Sequence, residues 1–200
     1  VSGGYRMVTM ARFGEVVESN TNEFVTQCYE LYSSPPLGSL VKVGESETIY
    51  GIVSYSSTAG LDTTRRPVAR GQSLESEQEV YERHPQLTRL LNTEFRSHIV
   101  GHMSGLEINT FLSPIPPKIH SFVMSCDREE IRTFATSLDF LGSVLRSQIP
   151  QADDVVAAFV RFALAMLPDV EGLKLDAARQ LASLLGSETH RLESILRRIR

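Results

Sequence analysis

Five histidines, two cysteines and a few paired acids are the residues of this 200-residue chain most able to do chemistry. Chelation of a metal needs ligands that converge on one ion. Among His84, His98, His102, His120 and His190 only His98 and His102 are close in sequence. The stretch around them has strand character, and residues four apart on a strand share a face about 13 Å apart, too far to hold one ion together. All five are read as solvated or hydrogen-bonded histidines. Cys126 precedes a helix start, where the helix dipole lowers a thiol pKa, and Cys28 lies within a strand. Cysteine more often behaves as a small buried apolar residue, and burial is the expectation for both.

Three further patterns come close to catalytic motifs. "GHMSG", residues 101 to 105, imitates a nucleophile elbow, yet G-x-S-x-G is not met around Ser104. Gly38 and Gly44 frame a loop that invites a phosphate. A Walker loop, however, requires G-x-x-x-x-G-K-[ST], and here five residues separate the glycines and Glu45 follows them. A glutamate there would repel phosphate. Glu129 with Glu130, and Asp153 with Asp154, stand at expected helix starts, where acids complement the macrodipole without any catalytic role. No catalytic residue, metal site or cofactor is assigned, and the expectation is a protein that is not an enzyme.

Two basic groups remain. Arg65, Arg66 and Arg70 fall in one loop, and Arg191, Arg197, Arg198 and Arg200 close the chain. Solvated surface accounts for them; contact with an acidic partner or a nucleic acid is the alternative. No aromatic residues alternate with them as base-stacking platforms would. A formal net charge of -4 argues against coating nucleic acid through bulk charge.

These side chains hang on a framework that changes character once. From 11 to 57 the chain reads as four short strands at roughly ten-residue spacing, the pattern of a small barrel or sandwich. "ARFGEVVES" ends at the turn formers Asn20, Thr21 and Asn22. In "EFVTQCYELY", Val25, Gln27 and Tyr29 alternate with Phe24, Thr26 and Cys28. "SSPPLG" ends that strand, because proline removes ladder donors. "GSLVKVGESETIYGIVSYSST" is a hairpin in which Gly38 and Gly44 are turn residues and Gly51 marks a bulge. Ile49, Val53 and Tyr55 are expected on the pleat face of Gly51, with Tyr50 and Ile52 opposite. An insertion over about 58 to 92 opens as a loop and continues as the helical "SLESEQEVYERHPQLTRLLN". Strand character resumes in "TEFRSHIVGHM" and "LEINTFLSPIPPKIHSFVMSC".

From 127 the pattern is helical. Asp127 as N-cap with Glu130 three residues on makes a capping box. Ile131, Phe134, Leu138, Leu141 and Leu145 form one amphipathic face up to Pro150. "DDVVAAFVRFALAMLP" is apolar almost all round, as a buried central helix would be. Gly186 ends a third helix as a C′ glycine, and the stripe Leu192, Ile195, Leu196, Ile199 marks a fourth. The fold class is therefore α+β: a small closed or partly open β-barrel over 11–126, then a bundle of about four helices over 127–200.

The segments "FGEVVESNTNEFVTQCYE", "PPLGSLVKVGES", "TIYGIVSY" and "SPIPPKIHSFVMSCDREEI" together resemble the HAS barrel. This is the small β-barrel shared by archaeal hexameric DNA translocases and the N-terminal domains of rotary ATP synthase α and β subunits. The likeness covers about residues 11 to 130 and is architectural more than chemical. In those proteins the barrel precedes a motor core with a Walker loop, whereas here helices follow it. The resemblance therefore implies ring formation or partner docking, and not ATPase activity.

The resulting expectation is an assembly or adaptor protein acting through protein–protein interaction or oligomerisation, with a nucleic-acid-binding accessory as the alternative. Two cysteines are too few for a disulfide framework, so a reducing, cytoplasmic compartment is expected. No apolar run reaches the ~18 residues that span a bilayer, and "VSGG" carries no fold information.

Overall fold

A computed structural model describes residues 10–45, 47–62, 64, 67–147 and 149–199. The N-terminal part holds strands β1 (Arg12–Ser19), β2 (Glu23–Cys28), β3 (Leu40–Val43), β4 (Ile49–Gly60), β5 (Leu91–Ser104), β6 (Glu107–Asn109) and β7 (Phe122–Ser125). All pair antiparallel in one seven-stranded sheet of order β2-β1-β7-β3-β4-β5-β6. β2 also pairs with β5, from Glu23 opposite His98 to Gln27 opposite Glu94, so the ladder of six strands returns to its starting strand. Among the described strands, only β6 lies outside that circuit, at the edge.

Between β4 and β5 come α1 (Glu77–Arg83) and α2 (Leu87–Leu90), neither with a buried residue. The strands on either side are longer than the sequence pattern predicts. β4 runs to Gly60 and β5 begins at Leu91, because the backbones of 57–60 and 91–94 keep pairing where their side chains have lost apolar character. After β7 come α3 (Arg128–Thr136), α4 (Leu141–Arg146), α5 (Ala152–Met166), α6 (Val170–Leu185) and α7 (Thr189–Ile199). The first expected helix is thus two, joined through Ser137 and a 3-10 turn at Leu138–Phe140. This break lets Leu138, Phe140 and Leu141 all reach the core, and it makes five helices after the strands where four were expected.

The first six residues of β4 are all buried, and two separate cores explain why. Ile49 and Val53 join Val16, Phe24, Phe95, Ile99 and Val123 in a cluster made of strand residues alone. Tyr50 and Ile52, on the opposite face, join Leu40 and Val100 in a larger cluster with all five C-terminal helices. An unbroken apolar run is what a strand buried on both faces requires. α5 is the centre of the helical layer: Val155, Val156, Ala157, Ala158, Phe159, Val160 and Ala163 are buried. A chain of rings crosses the layers, Tyr50–Phe134 at 5.1 Å, Phe134–Phe140 at 5.5 Å and Phe140–Phe159 at 5.3 Å between centroids. Each such pair contributes about 0.5–1.5 kcal/mol beyond area burial.

Two irregularities shape β4. Pairing steps from Tyr50–Gly101 to Gly51–Ile99, which leaves Val100 of β5 as the extra residue beside Gly51. A Cβ on Gly51 would lie 2.8 Å from the Phe24 ring and 2.9 Å from the Ser97 Cβ, so this crowded crossing accepts no side chain. Pairing then steps from Val53–Ser97 to Tyr55–Arg96, with Ser54 the extra residue. That second bulge breaks the alternation, and Tyr55, expected on the inner face, is exposed instead.

Candidate functional site

Where strands meet helices, the polar groups form a closed set. Asp127 caps α3 by accepting from the amides of Glu129 and Glu130, each at 2.9 Å, while Glu130 Oε2 accepts from the Asp127 amide at 2.8 Å. The buried Glu130 carboxylate also takes both oxygens to Lys42 Nζ of β3, at 2.8 Å each, and accepts from the Tyr50 hydroxyl at 3.0 Å. Burial, and then the Glu130 carboxylate, push the Tyr50 phenol well up. The neighbouring Cys126 thiol is raised far above its ordinary range, mainly by burial and then by Glu130. This constellation locks two layers together. Its lysine is tied to the Glu130 carboxylate and its thiol is buried.

Cys28 is likewise a free, buried cysteine, pushed up to about 11 by burial and then by Glu94. His102 packs edge-on against Phe111 at 5.2 Å, and His120 Nδ1 lies 2.9 Å from Glu15 Oε2. Among the described residues, no three His, Cys, Asp or Glu side chains gather closely enough to hold a metal ion.

The arginines singled out from sequence are dispersed. Arg191 is engaged by Asp153 at 2.8 Å, by Glu188 at 3.2 Å and by the Leu145 carbonyl at 3.3 Å. Arg197 pairs with Glu193 and Arg198 with Asp154. Arg191–Asp153 and Arg198–Asp154 tie α7 to α5, while Arg197 pairs within α7 and stays exposed. Arg70 is exposed, and Arg65, Arg66 and Arg200 lie outside the described residues. Gly38 and Gly44 both take left-handed backbone, at φ 82° and 92°.

Two features that motif spacing does not reveal stand out. The first is a groove of about 810 Å³ between the sheet and the helical layer. His98 and Arg96 of β5, Glu23 of β2 and Tyr55 beside the β4 bulge line it on one side, with Arg146 of α4 and Gln151 at the start of α5 on the other. His98 is 8% exposed, and burial holds its pKa below the usual imidazole value. Arg96 Nη1 pairs with Glu23 at 3.1 Å. Positions 23, 96 and 146 meet only through the fold, and no local spacing signals that.

The second is the segment that begins in the β5–β6 turn. Leu106 is 98% exposed and Phe111 63% exposed, and Leu112, Ile115 and Ile119 are also exposed. They flank edge strand β6, whose one partner is β5. The apolar content of "LEINTFLSPIPPKI" was a visible signal for this face, although proline-rich turn character masked it.

No model of a known protein family matches the chain, and no curated protein sequence does. No helix among the described residues is long and apolar enough to cross a membrane.

Proposed function

We propose that this chain is a non-enzymatic assembly or adaptor module, a HAS-like β-barrel joined to a helical bundle, that acts by associating with a second copy of itself. The observation that carries this is the set of exposed apolar side chains Leu106, Phe111, Leu112, Ile115 and Ile119 in the stretch that holds edge strand β6. Exposed apolar side chains mark interaction sites when they gather, and an unpaired strand edge is a template for another chain. The β2–β5 pairing supports the barrel, since it joins the ends of a six-strand run and leaves only β6 unclosed. The family that the sequence resembles uses its barrel in ring formation or docking, and self-association is the form of that role a single chain can display. The nucleic-acid alternative draws no support from Arg191, Arg197 and Arg198, whose charges are met by acids.

Sedimentation velocity across a concentration series tests the proposal. The expected result is a reversible dimer or ring that Leu106→Asp with Phe111→Asp converts to monomer, with the far-UV spectrum unchanged. A chain that stays monomeric throughout, and retains no partner from its native extract, overturns it.

A further inference from the structure

The groove between sheet and helices has the chemistry of a ligand site, and of the residues in the self-association segment it shares Leu112 alone. Its floor carries His98, more than nine-tenths buried and without a hydrogen-bond partner among the described residues. The His98 side chain lines the groove, where the oxygens of a bound anion can reach its ring nitrogens. The groove walls bring a second cation from a different layer. Arg146, in the last turn of α4, lines the groove with its guanidinium lying back beside Gly142, and it has no carboxylate partner among the described residues. Arg96 and Glu23 neutralise one another in part, so Arg146 is the surplus charge.

Of the remaining polar lining, the Ser54, Ser143 and Ser147 hydroxyls already donate to the Arg96, Phe140 and Val144 carbonyls. Asn20 gives its side-chain oxygen to the amides of Asn22 and Glu23, at 2.8 and 3.0 Å, which leaves its NH₂ free to donate. Leu112, Ile149 and Tyr55 supply apolar contact. A volume of about 810 Å³ lies within the usual range for small-molecule sites.

We propose that this groove binds a small anionic molecule, its carboxylate or phosphate oxygens held by Arg146, Arg96 and the His98 ring and its body lying against Leu112 and Ile149. Guanidinium forks suit both oxyanions through two parallel hydrogen bonds. Glu23 faces the same space and sets the orientation by repelling the anion from the β2 side.

The test titrates the full chain with inorganic phosphate, pyrophosphate and citrate, each against chloride at matched ionic strength. The ring signals of His98 are followed by NMR and assigned with His98→Gln. The expected result is a saturable shift with at least one of the three, phosphate or citrate response identifying the oxyanion. Arg146→Gln should weaken it about tenfold or more, as loss of a charge-assisted bond does, and Arg146→Lys should recover part of that loss. Arg70→Gln serves as a surface-charge control and should leave it unchanged. No saturable shift with any probe, or an affinity in Arg146→Gln equal to that of the unaltered chain, overturns the proposal.

Discussion

Single residues carry the tightest constraints. Lys42 and Glu130 are buried partners 88 positions apart, and Glu130 accepts from Tyr50 and the Asp127 amide as well. Removing the cation alone strands a carboxylate in an apolar layer. Lys42→Ala should therefore cost about 3–5 kcal/mol in urea unfolding, while Lys42→Met with Glu130→Gln should recover most of that loss. His98 supplies a pH dependence whose sign follows from its depressed pKa. The unfolded chain binds a proton at about pH 6.5 that the folded chain refuses, so stability falls as pH drops below 6.5 toward the lower folded value. The slope should not exceed about 1.4 kcal/mol per pH unit, and His98→Gln should flatten it. The Asp127–Glu130 capping box was legible because its partners are three residues apart. The third member, Lys42, was not, since nothing local in "LVKV" says that its lysine turns inward.

Elements show where local pattern suffices and where it fails. Strand and helix character followed from period, and the two-faced burial of β4 was implicit in its unbroken apolar run. The places missed are those where tertiary packing overrode period. A bulge at Ser54 turned Tyr55 outward, and a 3-10 turn at Leu138–Phe140 split one amphipathic stripe into α3 and α4. The contact between Gly38 and α5 belongs to this scale. Gly38 holds φ 82°, and a Cβ there would sit 2.4 Å from backbone atoms of Ala158 and Phe159. Neither the turn nor the central helix can yield without disturbing its own hydrogen bonds. Gly38→Ala should destabilise by more than about 2 kcal/mol, combining left-handed strain with a backbone clash. Gly105→Ala, at φ 63° with nothing within 4 Å, should cost only the strain, about 1 kcal/mol. Thermal melts of the two variants side by side separate the terms.

At the scale of the whole molecule, the boundary near residue 126 suggested by the change of pattern is a change of element type running through a continuous core. Leu40, Tyr50, Ile52, Val100 and Cys126 of the strand region share one cluster with the five C-terminal helices, and Lys42 finds its counter-charge there. The groove is itself a product of this stacking, which is why residues 23, 96 and 146 could not be brought together from sequence. An isolated strand region would expose four large side chains, at about 1.5–3 kcal/mol each, together with an unpaired lysine. That is comparable to the entire stability of a small domain. The full chain should therefore unfold in urea in one step, with tyrosine fluorescence and the helical far-UV signal superimposed. A fragment of residues 10–126 should aggregate or give a collapsed amide spectrum. Polar repair of its outer face, Tyr50→Thr with Ile52→Thr, should improve its solubility. A monomeric fragment 10–126 with dispersed amide signals and an intact sheet spectrum would show that the inner cluster around Phe24, Phe95 and Val123 holds the strands without the helices.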